Sequence, residues 1–225
     1  MNPWILFIGI AVLSWLVQMN LQNKFKKYSK IPTGNGMTGE EVALKMLRDN
    51  GIYDVQVTHT NGHLTDHYNP ATKTVNLSDG VYAGRSIMAA AVAAHECGHA
   101  VQHARAYAPL TMRSKLVPVV SFASQWMSWL LLAGIITLNT FPQLMLAGII
   151  LFALTTLFSF ITLPVEINAS KRALVWLNQS GITTLHNHGQ AEDALRSAAY
   201  TYVVGALGSL ATLIYYIMIF MGRRD

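Results

Sequence analysis

Three uncharged apolar runs organise the chain: residues 3–22, 116–165 and 198–221, with charged residues confined to the stretches between and around them. Each reaches or exceeds the roughly 20 residues that a helix needs to cross a bilayer. The middle run is too long for one crossing, and Asn139, Thr140, Phe141 and Pro142 provide a polar break within it. The pattern therefore predicts a mainly α membrane protein with about four transmembrane helices, at about 3–22, 116–138, 143–165 and 198–221. The first run has no basic residue before it and no A-x-A cleavage pattern after it, and KFKK follows directly, so it reads as an anchor rather than a removed leader.

The polar segments carry their own signals. In "MTGEEVALKMLRDNG" Thr38 and Glu41 have capping-box spacing and Gly51 stands where a helix C-terminus wants a glycine, which predicts a helix over about 39–50. In "DVQVTHTNGHLTDHY" two β-like runs flank Asn61-Gly62, a dipeptide suited to a type I′ hairpin, and "TKTVNLS" supplies a third strand, so a small β-meander is expected. A helix follows from the candidate N-cap Ser86 to before Pro109. The third span continues through "EINASKRALVWLNQSG" as a helix ending at Gly181, and a last helix begins near Ala191 and becomes the fourth span. The whole chain, 1–225, reads as a single membrane-embedded domain.

Composition agrees, with 52% hydrophobic and 12% charged residues. Lys24, Lys26, Lys27 and Lys30 after the first span, and Arg105, Arg113 and Lys115 before the second, place 24–115 in the cytoplasm. By alternation 166–195, with Lys171 and Arg172, faces the cytoplasm too, and the C-terminal GRRD lies outside, against the same rule. The net charge of +5 calls for no nucleic acid, because the basic residues flank spans where anionic lipid favours them. One cysteine excludes an internal disulfide and fits a reducing compartment.

The chemistry concentrates in "AVAAHECGHAVQH", residues 91–103. His95, Glu96 and His99 form H-E-x-x-H. Residues four apart on a helix lie about 40° apart around the axis and one turn apart along it, so both imidazoles reach one Zn²⁺ while Glu96 reaches the attacking water without being a ligand. The alternative, a polar stripe on a surface helix, fits poorly with the flanking alanines and valines, which predict burial. His103 stands roughly 12 Å along the axis from His95, too far to share an ion, and reads as a surface or supporting residue. Cys97 points away and reads as packing.

A third ligand must come from elsewhere. Glu40 and Glu41 belong to a helix start, and Glu192 looks like dipole complementation at another. Glu166 follows an apolar span directly, where an unpaired carboxylate is costly, and with Ala169 and Ser170 it forms E-x-x-A-S, the arrangement of a gluzincin His₂Glu site. His59, His63 and His67 recur every four residues, which on a strand places them on one face; a second metal site and a surface role are both open. An oxyanion donor could be Tyr200, Tyr202, His186, His188 or Arg172, and these remain alternatives.

On these residues the chain resembles the YugP-type zinc-dependent membrane peptidases of bacteria, the neutral zinc metallopeptidases. The matching stretches are "LTDHYNP", "VNLSDGVYAGRSI", "AVAAHECGHAVQ", "LPVEINASKRAL" and "AAYTYV", in that order along the chain. The resemblance implies zinc at His95, His99 and Glu166, with Glu96 catalytic. The family pattern has an aspartate where Asn168 stands; an amide would support a zinc-bound histidine less strongly. More distantly the chain is similar to HtpX-type membrane gluzincins, which implies a cytoplasm-facing site and a substrate peptide paired with an edge strand near the metal helix. Residues 73–78, KTVNLS, are the strand expected to serve.

The reading is thus a multi-pass cell-membrane endopeptidase with one catalytic Zn²⁺, cleaving membrane or membrane-adjacent polypeptides at the cytoplasmic face. Its rivals are a non-catalytic zinc-binding membrane protein, either sensor or transporter, and a degenerate peptidase serving as a scaffold. Glu96 discriminates, since transport and sensing need no carboxylate between the ligands.

Overall fold

The computed structural model describes residues 3–222, the side chain of Pro3 excepted. Its elements run α1 (Pro3–Tyr28), α2 (Gly39–Asp49), β1 (Gln56–Thr60), β2 (His67–Asn69), β3 (Thr74–Ser78), α3 (Asp79–Tyr82), α4 (Ile87–Ala104), α5 (Ala108–Ile136), α6 (Pro142–Gln179) and α7 (His188–Gly222). Four of the helices, α1, α5, α6 and α7, are long and apolar enough to cross a membrane. The predicted break at Asn139–Pro142 separates α5 from α6, and Thr137 closes α5 by donating its hydroxyl to the Ala133 carbonyl at 2.7 Å. Residues 223–225, which include the arginines expected to face outward, lie outside the described residues.

The chain divides into two compact units. One holds the residues through Leu16, Thr111–Pro164 and those from Thr201 on. Its large apolar side chains point outward: Trp4, Ile8, Trp129 and Ile136 are all more than 60% exposed, as a lipid-facing surface requires. Inside it, packing depends on small residues and hydroxyls, which is how helices associate where lipid is as apolar as leucine. A Cβ on Gly134 would fall 2.5 Å from the Met145 backbone, so only glycine lets α5 and α6 approach this closely. Thr156 and Ser209 share a 2.7 Å hydroxyl bond, and Phe7 meets Tyr215 edge-on at 5.4 Å.

The second unit, Val17–Leu110 with Val165–Tyr200, contains the polar segments and a conventional core. Thr38 caps α2 as predicted: its hydroxyl accepts from Glu41 N at 3.1 Å while the Glu41 carboxylate accepts from Thr38 N at 2.8 Å. Gly51 ends the helix at φ +72, and Val42, Ala43, Met46 and Leu47 turn its apolar stripe into the core. Ser86 caps α4 through Ala89 N, and the alanines of that helix are buried on nearly every side, which lets α2, α6 and the sheet pack closely around it. Lys24 and Tyr28 of α1 reach the Asp193 carboxylate at 2.7 and 2.6 Å, fastening α1 to the start of α7.

Four expectations are corrected here. The strands are present, but their order is β1-β3-β2, with β1 parallel and β2 antiparallel to β3, so the sheet is mixed and is not a meander. Asn61-Gly62 forms no hairpin, because a type I′ turn needs both residues at positive φ and only Gly62, at +114, is there. Instead Asp66 accepts from Ser78 N and Oγ at 2.7 and 2.9 Å, which pins the connection to the far end of β3 and delivers β2 to its other edge. Consequently KTVNLS is the central strand and cannot be the edge that receives a peptide. Glu192 is also displaced: α7 starts at His188, so Glu192 lies beyond the first turn, where dipole complementation acts.

Candidate metal centre

α4 and α6 build the centre. Helical spacing places His95 and His99 one turn apart on α4, their rings 4.8 Å apart and nearly perpendicular. α6 brings Glu166 to both: its Oε2 lies 3.3 Å from His95 Nε2 and 3.5 Å from His99 Nε2. The helices come this close because of Gly98, where a Cβ would stand 2.7 Å from the Ala169 carbonyl oxygen. Glu166 is 3% exposed and His99 7%, so little water reaches the group.

The donor set fits zinc. A tetrahedral ion with bonds of about 2.0–2.2 Å separates its ligand atoms by about 3.3–3.5 Å, the spacing seen between Glu166 and each imidazole. His95, His99 and Glu166 are the group of three or more possible metal donors found among the described residues, all within 4.8 Å of one another. With both imidazoles neutral, as metal ligands must be, the group carries a net negative charge that a cation would offset. Burial disfavours a charged His99, yet the Glu166 carboxylate, helped by Glu96 and Gln102, outweighs it and holds that imidazole above its ordinary pKa.

Supporting bonds fix how the imidazoles face. The fully buried Gln102 donates its amide nitrogen to the Val165 carbonyl at 2.8 Å and to Asn168 Oδ1 at 3.0 Å. That leaves its oxygen, 3.0 Å from His99 Nδ1, as an acceptor, so His99 carries a proton on Nδ1 and points Nε2 at Glu166. Ser170 Oγ stands 3.0 Å from His95 Nδ1 and can accept in the same way. Asn168 therefore acts one step removed from the histidine, through Gln102, and also accepts from Arg172 Nε at 2.7 Å.

Glu96 lies beside the donor group without joining it. It is 8% exposed, and its Oε2 accepts the backbone N–H of Tyr68 on β2 at 3.0 Å. The Tyr68 hydroxyl in turn meets His103 Nδ1 at 2.8 Å, so His103 fastens β2 to α4 rather than joining the donors. Of these supports, Ser170 had a sequence signal in E-x-x-A-S; Gln102 and Tyr68 had none.

The remaining histidines disperse. His59 pairs with Asp79 at 2.5 Å, His63 packs on Phe25 with ring centroids 4.7 Å apart, and His67 contacts the Thr65 carbonyl at 2.8 Å. His63 sits between strands, so the three share no strand face and form no second donor group. His188 begins α7 and bonds Thr183 Oγ1, His186 is exposed, and Arg172 is held by Asn168 and lies over the Tyr107 ring. Cys97 is buried with its thiol toward the Ala43 carbonyl, and burial pushes its pKa well up, in keeping with a packing role.

No solved structure matches this chain. It is 44% identical over 224 residues to the Bacillus subtilis (strain 168) protein named "Putative membrane protease YugP", with 98% of each chain aligned. Residues 3–221 match the family described as "Putative neutral zinc metallopeptidase", which spans all four long helices and the H-E-x-x-H segment. The chain belongs to that zinc metallopeptidase family.

Proposed function

We propose that the protein is a membrane-bound zinc endopeptidase of gluzincin type, with His95, His99 and Glu166 holding one catalytic Zn²⁺ and Glu96 serving as general base. One observation carries the reading: a buried His₂Glu donor group with a fourth residue, Glu96, fixed beside it yet outside it. The bound ion would supply Lewis acidity, polarising the scissile carbonyl and acidifying the attacking water. Glu96 takes the proton of that water onto its carboxylate and returns it to the leaving amine nitrogen. The Tyr68 N–H fixes where that carboxylate stands, while Gln102 and Ser170 keep the imidazole lone pairs turned inward.

β2 is an edge strand whose Tyr68 touches Glu96, so its open side is the place for an extended substrate to pair through main-chain hydrogen bonds. Such pairing selects unfolded or extended polypeptide. Attachment to four spans favours membrane or membrane-adjacent substrates, and the lysines after α1's apolar run favour a cytoplasmic site. A sensor or transporter would leave Glu96 without a task.

The test compares purified wild type with Glu96→Gln for zinc content and for cleavage of unfolded casein. We expect about one zinc in each, chelator-sensitive cleavage by wild type, and a loss of about 10²–10⁴-fold in the variant. Zinc-loaded variant cleaving at the wild-type rate would remove Glu96 from the mechanism, and a wild type without zinc would sink the reading.

A further inference from the structure

Behind the metal centre, a cleft of about 370 Å³ opens between the ends of α2 and α4 and the polar half of α6. Its charged side chains are all cationic: Arg105, Lys171 and Arg172, with no carboxylate in the lining. Asp49, which accepts the indole N–H of the lining Trp176 at 3.0 Å, is paired with Lys45 at 2.9 Å. Among the described residues none of the three cations forms an ion pair. Arg105 reaches an amide oxygen, Asn50 Oδ1 at 3.4 Å, and Arg172 another, Asn168 Oδ1, with its guanidinium 5.9 Å from the centre of the Tyr107 ring. Like charges gathered around one cleft repel each other, and an anion entering it relieves that repulsion while accepting from several donors at once.

The same cleft touches the metal centre through a chain of short bonds. Arg172 Nε donates to Asn168 Oδ1 at 2.7 Å, Gln102 Nε2 donates to that same oxygen at 3.0 Å, and Gln102 Oε1 faces His99 Nδ1 at 3.0 Å. Asn168 Oδ1 is thus shared between the cleft and the residue that orients a candidate zinc ligand. Anything that draws the Arg172 guanidinium into the cleft changes the competition for that oxygen and, through Gln102, the hold on His99. The apolar portion of the wall, Val101, Val175 and Trp176, suits an anion carrying a small organic group.

We propose that this cleft binds a phosphate-class oxyanion, a phosphomonoester or the headgroup of an anionic lipid, and that its occupancy is transmitted to His99 through Arg172, Asn168 and Gln102. Binding depends only on the cleft; its transmission rests on the zinc reading above. Arginine supplies a planar pair of donors to phosphate oxygens and lysine a point charge, so the three together match a dianion. Because the cleft is open to solvent, the affinity falls steeply with salt.

The experiment uses the zinc-loaded full chain in a zwitterionic detergent free of phosphate, titrated with sn-glycerol 3-phosphate by calorimetry. Saturable one-to-one binding is expected, weakened tenfold or more in the double variant Arg105→Gln, Lys171→Gln, whose residues are exposed and lie outside the metal centre. Asn168→Asp, which places a carboxylate beside Arg172 within the fold, should weaken binding at least as much. Equal binding by wild type and double variant, or no saturable binding, overturns the site. Repeating the titration in phosphatidylglycerol and phosphatidylcholine nanodiscs separates the sources: suppression only by phosphatidylglycerol assigns the cleft to lipid, and equal binding in both assigns it to a soluble phosphomonoester. For transmission, the rate of zinc release to a chelator should change threefold or more on adding the phosphate to wild type and not to the double variant. An unchanged rate despite binding overturns the transmission. A chain that binds phosphate and holds no zinc supports the cleft and refutes the zinc reading separately.

Discussion

Tyr68 affects the candidate base by two routes that one substitution separates. Its backbone N–H holds Glu96 Oε2, and its hydroxyl ties the strand to His103 on the last turn of α4. Burial, with a smaller push from Asp54, keeps the phenol above its ordinary pKa, so the hydroxyl stays a donor and His103 Nδ1 the acceptor. Tyr68→Phe preserves the backbone bond and the ring and removes only the tie. A bond worth about 0.5–1.5 kcal/mol then translates into about a two- to tenfold loss of kcat as Glu96 loosens. Zinc content should not change, because β2 supplies no donor to the centre; steady-state kinetics with metal analysis would show it, and a loss of zinc instead would mean that Tyr68 supports the fold of α4. The candidate donors themselves were legible in the sequence, because spacing on a helix and a glutamate after an apolar span are local signals. Tyr68 was not, because it acts through a main-chain amide that leaves no mark on residue type. Gln102 was not legible either, since its partners Val165 and Asn168 lie more than sixty residues away.

Among the elements, the crossing of α4 and α6 is the one on which the centre depends, and Gly98 is where the two backbones meet. Its Cβ would stand 2.7 Å from the Ala169 carbonyl oxygen, which is fixed backbone and cannot swing aside. Gly98→Ala must therefore push α6 outward, moving Glu166, three residues before Ala169, away from both imidazoles. Overpacking of this kind costs about 1–3 kcal/mol, and here it falls on the donor geometry. The expected outcome is a helical, membrane-integrated protein whose zinc affinity drops at least tenfold, read by competition with a fluorescent chelator and by circular dichroism. Wild-type affinity would mean that the helices tolerate the methyl group and that the contact is not limiting. Helix ends were readable from residue type, as the Thr38 box and the Ser86 cap attest. Strand order was not, because pairing joins residues distant in sequence: Asp66 reaching Ser78 decides it, and nothing in Asn61-Gly62 announces that the turn will be overruled.

At the scale of the whole molecule, hydropathy alone divided spans from polar segments, because the need to satisfy the backbone in lipid makes each crossing a continuous apolar helix. Hydropathy by itself could not tell where those helices stop, and the continuation of the third span to Gly181 and the start of the last helix near Ala191 were read from the flanking polar segments instead. α6 runs for 38 residues, well past the apolar stretch, and α7 begins before its own, because the extra turns pack into the core of the second unit through Ala173, Leu177, Ala191 and Ala194. Orientation follows from a different argument, the lysines at 24, 26, 27 and 30, and it makes a sharp prediction. The only cysteine is buried, so the wild type should be silent to a membrane-impermeant maleimide. Tyr53→Cys introduces a thiol at a site 81% exposed in the polar unit, and Asn139→Cys places one in the exposed connection between α5 and α6. In intact spheroplasts Asn139→Cys should be labelled and Tyr53→Cys should not, until lysis admits the reagent. The reverse pattern would turn the molecule over, placing the metal centre outside the cell and its substrates with it. Labelling of both positions before lysis would mean that α5 does not span, and the four-crossing arrangement would fall with it.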